Sequence, residues 1–270
     1  LAYGLLGLPR LGYPTMATIH HPITVDRDVE VQATDSLFKK FKTHRWYSFL
    51  GMQKRVSRRM EPIITVSECS KRDISRDFKA ASSRFRVVPN GINTDFFYPL
   101  PDVPRPENRL IVTNSADTPL KGLRYLLEAV DSIRKRRDIH LTVIGTPKKY
   151  GVIEELVKEL KLGDRVTFTG RIEYEEFARY YAESTMAVIP SLYEGFGMPA
   201  GEAMACGVPC VVTDTGDSAA VVGGTGRVVP PRDAPALADA VLGLLALPAG
   251  ELRALGLAAR ARVGEHFALP

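Results

Sequence analysis

Glu194-Gly-Phe-Gly-Met-Pro-Ala-Gly-Glu202, continuing through Ala203-Met-Ala-Cys-Gly-Val-Pro209, is the stretch whose reading decides the fold. Apolar runs flank it, Met186-Ala-Val-Ile-Pro190 before and Val208-Pro-Cys-Val-Val212 after, and each has the length of a buried strand. Three glycines and Pro199 lie from Gly195 to Gly201, so no single helix spans the whole segment. The pattern predicts a strand, a glycine loop, and a short helix entered near Pro199. Gly207 then closes that helix in the left-handed conformation, and Pro209 keeps it from resuming.

Such a loop carries chemistry. Glycines let backbone N–H groups approach a ligand closely, and a helix N-terminus adds partial positive charge, so phosphate is favoured. Glu202, placed by this reading in the first turn, could accept hydrogen bonds from ligand hydroxyls. Glu194, at the strand's end, falls where open parallel sheets hold their ligands. The same residues also describe an ordinary glycine turn in which Glu202 complements the helix dipole.

The spacing adds to this. A glutamate, seven residues and a second glutamate, with Gly-Phe-Gly after the first and Glu-Ala-Met-Ala-Cys-Gly-Val-Pro around the second, resembles the signature of retaining GT-B glycosyltransferases of family 4. The resemblance implies a nucleotide-sugar donor site. In it Glu194 faces the donor sugar, the backbone at Phe196 and Gly197 touches its hydroxyls, Gly195 and Met198 belong to the same donor-binding loop, and Glu202 binds the ribose.

Working outward, short strands at Arg109–Thr113, His140–Ile144, Val166–Phe168 and Arg227–Val229 join the two around the loop. Helical stretches at 121–137, 152–162, 173–183, 199–206 and 234–247 alternate with them. That alternation predicts a parallel sheet with helices on both faces, a Rossmann-like nucleotide-binding domain. Glu251–Phe267 reads as a final helix. Upstream, strands are expected at Thr15–His20, Pro62–Val66 and Phe85–Pro89, with Ser67 capping a helix through about Lys79. Apolar residues from Val31 to Met60 recur at helical spacing, interleaved with Lys39, Lys40, Lys42, Arg45, Lys54, Arg55, Arg58 and Arg59. This basic segment reads either as a solvated helix face or as a surface touching anionic lipid.

Pro89-Asn-Gly-Ile-Asn-Thr-Asp-Phe-Phe-Tyr-Pro99 marks a turn leading into a proline-rich linker. It also resembles the inter-domain segment of the same glycosyltransferases. The boundary is therefore placed after Tyr98, giving a partial acceptor-side domain at 1–98 and a donor-binding domain at 99–270. The fold class implied is α/β, a GT-B fold of two Rossmann-like domains with parallel sheets facing across a cleft, the first domain incomplete. The chain opens with Leu1 rather than Met, and truncation at both ends is expected.

Composition sets outer bounds. A hydrophobic fraction of 45% and a charged fraction of 25% are those of a globular protein, and no apolar run has the length of a membrane helix. Three cysteines, Cys69, Cys206 and Cys210, lack metal-site spacing and suit a reduced, cytoplasmic compartment. The Cys206–Cys210 pair reads as buried packing. A net charge of +5 fits anionic ligands or a membrane surface and does not demand nucleic acid.

Single residues complete the candidate site. Lys121-Gly122 opens a helix on the C-terminal side of a strand, a good place to meet a pyrophosphate, although surface lysines are common. The family carries an arginine shortly before this Lys-Gly, and Ala116 stands there instead, which leaves that phosphate contact to the glycine loop and Lys121, to Arg171, or to another cation. Thr146 follows a strand where a base or ribose would rest, or where a plain turn would do. Arg171 and Ile172 follow another strand, and the resemblance places that segment beside the nucleobase. His20 ends a strand of the first domain, where the family commonly has a histidine facing the donor sugar; a lone histidine is otherwise a core or capping residue.

The resemblance therefore implies an enzyme that moves a sugar from a nucleotide-sugar donor to an acceptor hydroxyl with retention, with Glu194, His20 and Lys121 in the reaction centre. No cofactor or metal is expected, since no Asp-x-Asp lies near the phosphate site. The acceptor is a sugar, a lipid-linked molecule or a small molecule, with cytoplasmic location and peripheral contact at the inner face of the membrane kept open. The alternatives are a nucleotide-sugar-binding domain without turnover, or an epimerase or phosphorylase of the same fold.

Overall fold

The structure, a computed structural model, describes residues 2–113 and 117–269. Ala116, which stands where the resemblance implies an arginine, lies outside the described residues. The chain divides into two compact units. The first runs to Asn90 and takes in Tyr193–Phe196; the second runs from Gly91 to Leu192 and resumes at Gly197.

The first unit contains β1 (Ala17–Thr18), α1 (Thr24–Gln32), α2 (Leu37–Trp46), α3 (Leu50–Ser57), β2 (Ile63–Thr65), α4 (Glu68–Phe78) and β3 (Phe85–Val87). Its strands form a parallel sheet in the order β1-β2-β3, with Ala17 opposite Ile63 and Ile63 opposite Phe85. α4 starts where the Ser67 hydroxyl accepts the Ser70 N–H at 3.0 Å, satisfying one of the helix's orphan donors. It stops at Lys79, which turns left-handed with φ 53°. Ile74 and Phe78 on α4 pack with Val56, Ile63 and Phe85 in one apolar cluster. Fully burying an apolar side chain of this size contributes about 1.5–3 kcal/mol.

The helical spacing from Val31 to Met60 does not become one helix. It breaks into α2, a single 3-10 turn at Tyr47–Phe49, and α3, while α1 begins earlier, at Thr24. Tyr47, Leu50 and Val56 turn inward, but α2 buries none of its residues, and Phe38 is 69% and Trp46 75% exposed.

In the second unit β4 (Arg109–Thr113), α5 (Leu123–Arg134), β5 (His140–Ile144), α6 (Val152–Glu159), β6 (Val166–Phe168), α7 (Phe177–Ala182) and β7 (Met186–Ile189) alternate. They are followed by α8 (Met198–Ala205), β8 (Cys210–Thr213), α9 (Ser218–Val222), β9 (Arg227–Val229), α10 (Ala234–Leu245) and α11 (Ala249–His266). Six parallel strands lie in the order β6-β5-β4-β7-β8-β9, the doubly wound arrangement expected from the strand–helix alternation. Every residue of β7 and β8 is buried, as helices on both faces require of a central parallel strand. The core clusters Leu126, Leu127 and Val130 of α5 with Leu110, Leu141, Val188 and Val211 of the strands.

Residues 91–98 lie with the second unit for identifiable reasons. The Ile92 N–H donates to the Phe267 carbonyl at 2.7 Å, and Leu269 N–H donates back to Ile92 at 2.9 Å. The Phe97 ring meets Tyr174 and Tyr181 with centroids 5.6 and 6.3 Å apart.

Candidate functional site

The strand order of the second unit reverses between β4 and β7, so the connections leaving these two strands run to opposite faces of the sheet. A crevice outside the strand ends at such a point is where this architecture holds ligands. Lys121, half-buried, ends a 3-10 turn, and Gly122 follows with φ 65° as the residue before α5. The Pro190 carbonyl oxygen lies 2.0 Å from where a Cβ on Gly122 would stand, so only glycine fits. Leu192 N–H donates to the Leu120 carbonyl at 2.7 Å, stitching the two connections together. The Ser191 carbonyl meanwhile accepts the hydroxyls of Thr213 at 2.5 Å and Thr215 at 3.1 Å.

Beyond this stitch the glycine loop enters α8. Gly197 has φ 100° and packs against Ser218, whose buried hydroxyl has no partner among the described residues. Pro199 sits at the second helical position and Gly207 closes the turn after α8 with φ 70°. Glu202 departs from the sequence reading. It is the fifth residue of α8, and the first turn contains no acid, so Glu202 does not complement the helix dipole. Its carboxylate lies 3.4 Å from the Tyr181 hydroxyl. Burial, and then the Glu202 charge, raise the Tyr181 phenol well above its ordinary value, so this hydroxyl stays protonated. Met198 is half-buried at the helix start.

Two more connections follow β5 and β6. Gly170 N–H donates to the Gly145 carbonyl at 3.3 Å, and the Thr146 hydroxyl oxygen lies 3.7 Å from the Cβ position of Gly170. The structure thus brings Thr146 beside the Gly170-Arg171-Ile172 segment, with Thr146 and Arg171 exposed and Ile172 half-buried. Lys121, Thr146, Arg171, Ile172 and the Gly197–Glu202 segment all follow C-terminal strand ends of one sheet.

Glu194, Gly195 and Phe196 are found in the first unit, with His20. Glu194 is 8% exposed and Phe196 is buried. Gly195 lies against the His20 backbone, its Cβ position 3.0 Å from that carbonyl oxygen. The Gly195 carbonyl accepts the hydroxyls of Ser67 at 2.8 Å and Ser70 at 3.1 Å. The Tyr193 hydroxyl donates to Asp73 at 3.1 Å. The His20 side chain is exposed, beside a cavity of about 210 Å³ whose wall includes His21, Gln53 and Phe78. His21 is engaged with the Asp26 carboxylate at 2.8 Å. Sequence reasoning found Ser67 only as a helix cap. It missed Ser70, Asp73, Thr213 and Thr215, whose partners are distant in sequence or lie in loops without regular spacing.

Cys206 and Cys210 are buried, unbridged thiols, as the packing reading expects, and burial with the nearby Glu202 pushes Cys206 up to about 12. Among the described residues no three His, Cys, Asp or Glu side chains converge to hold a metal, and no single helix is long and apolar enough to cross a membrane.

Comparison with known proteins supplies an independent reading. The family model described as Glycosyl transferases group 1 matches residues 107–246, and that described as Glycosyltransferase Family 4 matches residues 1–96. An MMP alpha-(1->4)-mannosyltransferase of Mycolicibacterium hassiacum is 43% identical over 270 residues, covering 99% of this chain and 65% of its own length. A GDP-mannose-dependent alpha-(1-6)-phosphatidylinositol monomannoside mannosyltransferase of Mycolicibacterium smegmatis is 32% identical over 206 residues, 70% of this chain and 52% of its own. Among solved structures, a sucrose-phosphate synthase from Thermosynechococcus elongatus superposes with a TM-score of 0.78 at 30% identity, covering 95% of this chain and 64% of that one. HepE from Anabaena, in complex with UDP and glucose, shares the fold with a TM-score of 0.75 at 18% identity, covering 98% of this chain and 70% of its own. The chain therefore spans less than two thirds of the length of the curated relatives named. With two parallel α/β units of the GT-B fold and a family match across just over half its length, the chain belongs to the glycosyl transferases group 1, within glycosyltransferase family 4.

Proposed function

We propose that this protein transfers a mannosyl group from a nucleoside-diphosphate donor to an acceptor hydroxyl with retention of anomeric configuration. The observation that carries the reading is the stitch between the connections after β4 and β7, which sets Lys121 and the approach to α8 at the C-terminal edge of a doubly wound sheet. The choice of mannose rests on the names of the two mannosyltransferase relatives.

In this reading the sugar–phosphate C1–O bond breaks while the acceptor oxygen bonds to C1 from the same face. The acceptor proton passes to the departing diphosphate. Charge grows on that diphosphate, and a preorganised ammonium and helix N-terminus are worth most where charge develops. Lys121 and the N–H groups of Gly197 and Met198 take that role. Glu194 and His20 face the sugar, Glu202 binds the ribose, and Thr146, Arg171 and Ile172 border the base, with Gly195 and Phe196 shaping the donor loop.

Calorimetric titration with GDP, UDP and ADP, followed by assay of sugar transfer from GDP-mannose, tests the proposal. One diphosphate should bind selectively, and Lys121→Ala should weaken it about tenfold, the scale of one charged hydrogen bond. A folded chain that binds none of the three, or binds without any transfer from the matching nucleotide sugar, would sink it.

A further inference from the structure

We infer that Ser67, the cap of α4, and Ser70 within it, helped by the Tyr193–Asp73 pair, are positioning residues that fix the peptide planes around Glu194. The inference rests on the transfer reading only for its kinetic consequence; the geometry stands within the first unit.

Ser67 does two jobs with one hydroxyl. Its oxygen accepts the Ser70 N–H at 3.0 Å, which caps α4, and its proton goes to the Gly195 carbonyl at 2.8 Å. A hydroxyl has one donor and two acceptor sites, so the roles do not compete. Ser70, three residues on and therefore on the same helix face, donates its own hydroxyl to the same carbonyl at 3.1 Å. A carbonyl oxygen offers two lone pairs, and two buried hydroxyls occupy them here. Both serines are 2% exposed or less, so water does not compete for these bonds.

Pinning one oxygen orients more than one atom. The peptide group is planar and trans, so the Gly195 carbonyl and the Phe196 N–H point in opposite directions. With the oxygen held toward α4, the Phe196 N–H is aimed away from it. On the other side of Glu194, the buried Tyr193 hydroxyl donates to Asp73 at 3.1 Å, one further turn along the same helix. Burial and the Asp73 charge raise the Tyr193 phenol, keeping this donor protonated. Glu194 therefore sits between two residues whose positions α4 dictates. A glycine-containing loop left unheld would sample many conformations, and misplacement of a reacting group by about 1 Å can cost about a hundredfold in rate.

The test uses the intact chain with Ser70→Ala, Tyr193→Phe and Ser67→Thr. The first two remove one donor each without touching the cap hydroxyl, and the third keeps both hydroxyl functions. Hydrogen–deuterium exchange at the Gly195 and Phe196 amides should accelerate at least about fivefold in Ser70→Ala and Tyr193→Phe and stay near wild type in Ser67→Thr. In the same two variants kcat should fall about tenfold, while donor KM and diphosphate affinity hold within about twofold. Unchanged exchange in Ser70→Ala and Tyr193→Phe would overturn the inference. So would a loss of kcat matched by falls in thermal midpoint and diphosphate affinity, because that is general destabilisation. A wild-type chain that transfers no sugar defeats the proposed function alone, and the exchange data still decide this one.

Discussion

α5 in the second unit and α2 in the first are of similar length, and both mix apolar with basic residues, yet they use them in opposite ways. α5 turns Leu123, Leu126, Leu127, Val130 and Ile133 inward, a stripe at three- and four-residue spacing that lies on the sheet. α2 turns Leu37, Phe38, Phe41 and Trp46 outward, and the positions nearest the unit's interior are Lys40 and Thr43. The difference follows from chain connectivity. α5 is a crossover between two adjacent parallel strands, so a right-handed connection must lay one face on the sheet. α2 follows another helix, α1, and packs beside it rather than on a sheet.

The comparison can be broken by mutation. Leu127→Ala should cost about 2–5 kcal/mol in denaturant unfolding of the second unit, the range for a fully buried leucine. A change below about 1 kcal/mol would mean that α5 is not fixed on the sheet as described. Gly122→Ala should cost about 1–3 kcal/mol through its positive φ and should also weaken diphosphate binding, because the new Cβ displaces the Pro190 carbonyl. Wild-type stability and binding in that variant would refute the stitch.

Asp131 on α5 gives a smaller, pH-dependent effect. The hydrogen bond from Lys135, joined by Arg134, holds its carboxyl below the ordinary aspartate range. A lowered pKa means that the stability it adds is present above that ordinary range and is lost as pH falls through the lowered value. Asp131→Asn should therefore cost up to about 1 kcal/mol at neutral pH, and the gap from wild type should narrow in acid. A gap that widens on acidification would contradict the sign. The smallest effect belongs to α2, where Phe38→Ser and Phe41→Ser should each move stability by less than about 0.5 kcal/mol. A loss of several kcal/mol there would show that these rings are buried in solution.

Much of the second unit was legible because its strands announce themselves. β4, β5, β6 and β9 coincide with the short strands read from the sequence, and β7 and β8 with the two apolar runs around the glycine loop, since a central strand covered on both faces has no room for polar interruptions. α9 was not legible, for Ser218–Val222 is too short to show a helical period. Counted from Pro199, Glu202 falls in the first turn, but α8 begins at Met198, and that one-residue difference makes Glu202 its fifth residue. The periodicity from Val31 to Met60 predicted helix correctly but could not say which face meets a core, nor where the 3-10 turn at Tyr47 interrupts it. Nor could local pattern reveal that the Gly195 carbonyl is held by hydroxyls from a helix more than a hundred residues upstream.

The stitch between Leu120–Gly122 and Pro190–Leu192 bears on how such a protein can be re-engineered. Two segments far apart in sequence share a backbone hydrogen bond and a glycine-only contact. They behave as one inheritable part. A chimera that imports either segment from a relative without its mate would join mismatched halves, so any transplant of this edge of the sheet must carry both segments together.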